Sequence, residues 1–203
     1  MAAPLAVVVS LAAVVARPRA AGASEAEAAA LAPWPDDAAR TASPVAPALA
    51  LDALALDTLD GGRIDLAAYR GRVVLVHFFA TWCEPCREEM ASLARLAIEA
   101  AGGDLVVLAV DVGEVDVRVR RFFAAEPVPF PVLLDRDRAT ARAWGVSGLP
   151  TTIVLDRALA PRLVVRRDLD WNAPAVVRSL RGLMAAPVVP AEASPGGDPD
   201  GLG

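Results

Sequence analysis

Residues 73–90 read VVLVHFFATWCEPCREEM, and this stretch decides the fold. All but one of the residues from Val73 to Phe79 are apolar, which is typical of a strand buried on both faces of a parallel or mixed sheet. From Cys86 to Ala97 apolar residues then recur at helical spacing. The stretch therefore predicts a buried strand followed at once by a helix from Glu84 to about Ala101, with both cysteines of the chain at the junction.

The sequence on both sides continues the alternation of strands and helices. An Asp-Gly-Gly turn at 60–62 between two short apolar alternations predicts a hairpin over residues 54–66. Parallel strand–helix units followed by an antiparallel pair and a last helix describe an α/β fold with a mixed central sheet flanked by helices. The other predicted elements are a strand at 105–110, a helix lined by Val115, Val119, Phe122 and Phe123, a strand at 130–134, a short helix at 139–144, strands at 151–155 and 163–166, and a helix that Asn172 caps and that runs to about Met184.

The length of 203 residues suits one domain with unstructured flanks. Residues 4–16 form an apolar run that is short for a membrane span and typical of a signal-peptide core, and the small residues at 21–23 resemble a cleavage site. Arg17 and Arg19 follow this run instead of preceding it, which is unusual for an exported signal, and the alternative is an unstructured Ala/Val-rich end. We predict an exported, periplasmic or extracytoplasmic protein with a signal peptide or N-terminal membrane anchor at 1–23, an Ala/Pro-rich linker at 24–50, a domain at 51–184 and a disordered tail at 185–203.

The charge of the chain excludes several classes of function. The formal net charge is −5, so a broad basic face that follows a phosphate backbone is not expected, and we predict no nucleic-acid partner. All 20 basic residues are arginine, which excludes Schiff-base chemistry on a lysine. A glycine-rich phosphate loop is also missing from the sequence, so we predict no nucleotide cofactor.

The two cysteines form a C-x-x-C motif at the predicted strand–helix junction. Cys83 lies at the helix N-terminus, where unpaired N–H groups and the helix dipole stabilise a thiolate, and we predict that it is the nucleophile. Cys86 lies one turn further and is predicted to be the resolving thiol, while Pro85 suits an early helical position. Two alternatives are a purely structural disulfide, which would close too small a loop to stabilise much, and a zinc site, which needs more ligands.

The motif at 73–90, together with GVSGLPTTIVLD at 145–156 and VDVGE at 110–114, resembles the TlpA/ResA-type branch of the thioredoxin-fold thiol-disulfide oxidoreductases. The resemblance implies a thioredoxin fold with an N-terminal β-hairpin and an extra strand–helix piece before Gly-Leu-Pro-Thr. It also implies an enzyme without a metal or an organic cofactor, whose redox-active group is a Cys83–Cys86 disulfide.

Further site residues follow from the resemblance, position by position. Pro150 matches the cis-proline beside the disulfide, where Leu149 and its neighbours contact an extended client chain. Trp82 matches an aromatic residue at the border of the active site, with ordinary packing as the alternative. Glu89 matches an acidic residue that tunes the dithiol, with a solvated helix face as the alternative.

His77 is the only histidine, and it lies where relatives often carry Asn. If its ring lies under Cys86, it could accept or relay the proton of that thiol near neutral pH. The alternative is a core histidine that hydrogen-bonds to the backbone.

Glu84 lies inside the C-x-x-C loop, where its carboxylate disfavours the Cys83 thiolate and favours a reductant. The resemblance then implies a membrane electron donor of the DsbD or CcdA type. It also implies protein clients such as apocytochrome c or a copper-site protein. The alternatives are a metallochaperone that holds Cu(I) on the two thiolates, a thiol oxidant of folding proteins and a thiol peroxidase, although the peroxiredoxin motif is missing.

Overall fold

The computed structural model describes residues 54–187. Strands and helices alternate along this part of the chain as the hydrophobic pattern predicts. The elements are β1 (Ala55–Asp57), β2 (Arg63–Asp65), a 3-10 helix (Leu66–Tyr69), β3 (Val73–Phe79), α1 (Glu84–Glu99), β4 (Leu105–Val112), α2 (Asp116–Ala125), β5 (Val132–Asp135), α3 (Ala139–Ala143), β6 (Thr151–Leu155), β7 (Pro161–Val165) and α4 (Pro174–Ala185).

Five strands form a mixed sheet in the order β5-β4-β3-β6-β7, and β1 and β2 form a separate antiparallel hairpin. β3 and β4 run parallel, as do β4 and β5, while β6 is antiparallel to both of its neighbours. β3 is therefore the central strand, and all seven of its residues are buried. The predicted fold class, with its mixed sheet, hairpin and strand–helix piece before Gly148, is confirmed.

The two faces of the sheet pack against different elements. The alternation of β3 turns Val73, Leu75 and Phe79 toward one core, which also takes apolar residues from α1, α2 and α4. Val74, Val76 and Phe78 face a second core, which contains α3 and the segment around the hairpin. Since His77 shares its face with Leu75 and Phe79, it lies on the side that α1 covers.

Two details of the sequence prediction are wrong. Asn172 does not cap the last helix: Ala173 is the N-cap, and the Asn172 side-chain amide donates a 2.7 Å hydrogen bond to the Ser92 carbonyl in α1. Val115 does not line the buried side of α2, because it precedes that helix and is 64% exposed.

The predicted signal or anchor segment and linker, and most of the predicted tail, lie outside the described residues. Within residues 54–187, no helix combines the length and the apolar character that a membrane crossing requires.

Candidate active site

The two cysteines are joined in a disulfide at the point where β3 gives way to α1. Cys83 is the N-cap of α1 and Pro85 is its second residue, where the missing N–H costs no hydrogen bond. Cys83 is 5% exposed and Cys86 is fully buried, so Cys83 is the more accessible sulfur. The N–H groups of the first helical turn are available to stabilise a thiolate at Cys83 after reduction.

Trp82 and the Leu149–Pro150 segment belong to the same end of the sheet. The indole of Trp82 is 66% exposed, which is unusual for so large an apolar side chain. The Leu149–Pro150 peptide bond is cis, as the resemblance implies. Pro150 immediately precedes β6, and the next residue, Thr151, is in register with Phe78 near the end of β3. The sheet thus brings the cis-proline close to the C-x-x-C loop.

Glu84 is a surface residue whose carboxylate forms an ion pair with Arg87. Its carboxylate lies 3.3 Å from the guanidinium of Arg87, which also binds Glu126 at 2.8 Å. These side chains are 40% to 71% exposed. Solvent and Arg87 therefore screen the effect of Glu84 on the Cys83 thiolate.

Glu89 lies on the buried face of α1. The alternative interpretation, in which it lies on a solvated helix face, is therefore wrong. Glu89 is 2% exposed, and its Oε1 accepts a hydrogen bond from the indole N–H of Trp171 and a long one, at 3.5 Å, from the hydroxyl of Thr152. Burial raises the pKa of Glu89 to about 8, although both hydrogen bonds oppose this rise. Cys86 and Glu89 are three residues apart on α1 and therefore neighbours on the helix surface.

His77 is also fully buried, and its partner is a side chain and not the backbone. Its Nδ1 lies 2.9 Å from Thr152 Oγ1 and 3.8 Å from Glu89 Oε2. Burial lowers the pKa of His77 to about 3. Since Glu89 keeps its proton up to about pH 8, both groups are uncharged near neutral pH, and their contact is not an ion pair.

Two buried carboxyl groups, those of Asp111 and Glu114, support the loop before Cys83. Glu114 accepts hydrogen bonds from the backbone N–H of Thr81 and, at 2.8 Å, from its hydroxyl. Gly113, with φ of 77°, makes the turn that follows β4, and Glu114 N–H donates to Asp111. Burial, reinforced by the neighbouring Glu114, raises the pKa of Asp111 well above its usual range. This arrangement ties the ends of β3 and β4 together beside the disulfide.

Sequence reasoning missed Thr152, Trp171 and Asp111 as parts of this site. Thr152 comes two residues after Pro150, and the register of β6 against β3 is what places it opposite His77. Trp171 is 82 residues from Glu89 in the sequence, so no local pattern connects the two. Asp111 and Glu114 lie in the VDVGE motif, where two acids at the end of an apolar strand were a usable signal.

The family model described as the AhpC/TSA family matches residues 45–160 of this chain. Among curated proteins, the chain is 38% identical over 101 residues to the thiol-disulfide oxidoreductase ResA of Bacillus subtilis. This match covers 50% of this chain and 56% of that protein. It is 36% identical over 102 residues to the ResA of Geobacillus thermodenitrificans, and this match covers 50% of this chain and 59% of that protein. The chain therefore spans little more than half the length of these two relatives.

Among solved structures, a secreted thiol-disulfide isomerase from Corynebacterium glutamicum superposes with a TM-score of 0.60 and 26% identity. The match covers 70% of this chain and 92% of that one. The likeness therefore extends over nearly the whole of that protein.

Proposed function

This chain belongs to the AhpC/TSA family of thioredoxin-like proteins, and we propose that it is a thiol-disulfide oxidoreductase that acts through Cys83 and Cys86. One observation carries the proposal: the disulfide joins the N-cap residue of α1 to a buried residue one turn later, beside a cis-proline. That geometry leaves Cys83 as the more accessible sulfur for a client and keeps Cys86 in reserve. The names of the relatives point to the same chemistry.

The proposed reaction reduces a protein disulfide in two exchange steps. The Cys83 thiolate attacks one sulfur of the client disulfide, which forms a mixed disulfide and releases one client thiolate. Cys86 then loses its proton and attacks Cys83 Sγ. This step forms the Cys83–Cys86 disulfide, breaks the mixed disulfide and releases the second client thiolate, so two electrons pass to the client. The chemistry needs no metal or organic cofactor.

Glu89 is suited to exchange the proton of Cys86 in the second step. The pKa of its buried carboxyl, about 8, is close to that of an ordinary thiol, about 8.5. Proton transfer between groups of matched pKa is efficient near neutral pH. In the fraction of molecules in which it is ionised, Glu89 accepts the proton when Cys86 attacks, and it returns the proton when the disulfide is reduced again.

The surroundings of the dithiol favour a reductant over an oxidant. Strong oxidants of this kind stabilise the reduced thiolate, whereas Cys86 is fully buried, and burial disfavours a thiolate. The nearby carboxylate of Glu84 acts in the same direction, weakly because of Arg87, and Glu89 does so only in its ionised form. We therefore propose that electrons flow from this protein to its client.

We further propose that the protein is exported and works in a periplasmic or other extracytoplasmic space. The apolar run at 4–16 supports export, and the resemblance to TlpA/ResA-type proteins supports the same compartment. In an oxidising compartment a reductant must be recharged, for which a membrane donor of the DsbD or CcdA type is suited. Haem-attachment cysteines of apocytochrome c and copper-site cysteines are the proposed clients.

The test is to trap the mixed disulfide with matched serine variants. The reduced full chain is mixed with an oxidised peptide that carries the C-x-x-C-H motif of haem attachment, and adducts are counted by mass spectrometry. Cys86→Ser should accumulate a one-to-one adduct, Cys83→Ser should form none, and the wild type should release reduced peptide. Adduct formation in Cys83→Ser alone would contradict the assigned roles. Stoichiometric retention of Cu(I) without any peptide reduction would favour a metallochaperone.

A further inference from the structure

Four buried side chains meet beneath α1: His77, Glu89, Thr152 and Trp171, which we call the buried quartet. All four are at most 2% exposed. Thr152 is its central member, since its Oγ1 lies 2.9 Å from His77 Nδ1 and 3.5 Å from Glu89 Oε1. The proposed oxidoreductase reaction uses Glu89 and leaves His77 without a role.

The unpaired atoms of the quartet determine how its protons are arranged. Two atoms of the quartet, His77 Nε2 and Glu89 Oε2, have no hydrogen-bond partner among the described residues. A buried N–H without an acceptor is rarer in proteins than an unused lone pair, so the tautomer with its proton on Nδ1 is favoured. In that tautomer Nδ1–H donates to Thr152 Oγ1, and the single hydroxyl proton of Thr152 must point away from His77. The remaining acceptor on that side is Glu89.

We propose that His77 is a positioning residue, which aims the Thr152 hydroxyl at the Glu89 carboxyl and thereby sets the pH range in which the dithiol reacts. The chain of donors runs from His77 N–H through Thr152 O–H to Glu89, and the indole N–H of Trp171 reaches the same oxygen, Oε1. Each donor stabilises the ionised carboxylate against the cost of burial. This inference rests on the proposed function only for its link to the dithiol.

Other charged groups act on Glu89 as well, and they are the same in every variant below. Glu89 lines a cavity of about 210 Å³ that several other charged residues also line. The charge of Asp168 raises the pKa of Glu89 and that of Arg167 lowers it. The buried residues of α4 include the polar Ser179 but no charged residue. The remaining charged groups that line the cavity are Glu88, Arg95 and Asp170.

The test is a titration of Glu89 in the oxidised full chain by carbon-13 NMR of glutamate carboxyls, with the resonance assigned by its loss in Glu89→Gln. His77→Leu and Thr152→Val should each raise the pKa of Glu89 by about 0.5 to 1, because each removes or misdirects a donor. His77→Asn should stay close to the wild type, since its amide supplies an N–H near the position of Nδ1. The double variant His77→Leu/Thr152→Val should match Thr152→Val alone, because His77 acts through Thr152.

A second readout connects the quartet to the dithiol. In the reduced protein, the pH midpoint of thiol alkylation should move downward in the variants that raise the pKa of Glu89, because the carboxyl beside the dithiol then stays uncharged to a higher pH, and it should not move in His77→Asn. An unchanged Glu89 pKa in His77→Leu, or additive shifts in the double variant, would overturn the proposal. If His77→Leu does not fold, a shift in His77→Asn as large as that in Thr152→Val overturns it instead. The NMR titration is independent of any client, so a failure of the trapping experiment leaves this test intact.

Discussion

Glu89→Gln should remove a large part of the pH dependence of the stability of the oxidised protein. The pKa of this carboxyl is about 8 in the folded protein and about 4.5 as an ordinary glutamate. Between these two values the unfolded chain has lost the proton while the folded protein still holds it. The contribution of Glu89 to the free energy of unfolding must therefore fall as the pH rises through this window.

The magnitude follows from the two pKa values. Each pKa unit corresponds to about 1.4 kcal/mol, so Glu89 lowers the stability by up to about 5 kcal/mol between pH 4.5 and pH 8. Asp111, whose pKa is also raised by burial, contributes in the same direction in the wild type. The difference between the wild type and Glu89→Gln isolates the part that belongs to Glu89.

The assay is urea unfolding of the oxidised full chain at several values between pH 4.5 and pH 8.5. Glu89→Gln should gain on the wild type steadily with rising pH, whatever its stability at pH 4.5. Glu88→Gln is the matched control, because Glu88 is the exposed neighbour on the same helix, and it should run parallel to the wild type. A constant difference between Glu89→Gln and the wild type across this range would show that the pKa of Glu89 is not raised in the folded protein.

Three further predictions concern other parts of the site. Because burial holds the pKa of His77 at about 3, this residue lowers the free energy of unfolding as the pH falls below about 6.5, opposite in sign to Glu89. In urea unfolding His77→Asn should therefore gain stability on the wild type as the pH falls from about 6.5, and a constant difference would speak against it. Glu114→Ala should cost about 1 to 3 kcal/mol, because the Thr81 N–H loses its acceptor, and a cost no larger than that of Glu126→Ala at the surface would contradict this estimate. Trp82→Ser should change the free energy of unfolding by less than about 0.5 kcal/mol but slow the reduction of the peptide client, and an unchanged rate would remove Trp82 from the client surface.

The sequence predicts the central layers of the fold well because their signals are local. The apolar run at 73–79 is observed as β3 without a change of boundary, and the helix after it begins at Glu84 as expected. A tertiary contact explains why the predicted helix cap at Asn172 was wrong. Asn172 has the chemistry of a cap, but the Ser92 carbonyl in α1 takes its amide, and no local pattern shows that carbonyl.

The candidate site also contains some residues whose positions follow from the local sequence and others whose surroundings do not. The positions of Cys83 and Cys86 at the helix start could be read from the motif, since spacing along a helix is a local property. The environment of Glu89 could not, because its partners Thr152 and Trp171 come from a strand register and a distant loop. Sequence reasoning also treated Glu84 as an isolated charge, whereas Arg87 and Glu126 complete a surface network around it.

In the proposed function, the Cys83–Cys86 couple donates electrons to protein disulfides. The most direct measurement is its equilibrium reduction potential in the full chain, taken in a dithiothreitol or glutathione redox series. We expect a value near that of thioredoxin, roughly −270 mV or below. A value near roughly −120 mV would mark an oxidant and would contradict the claim.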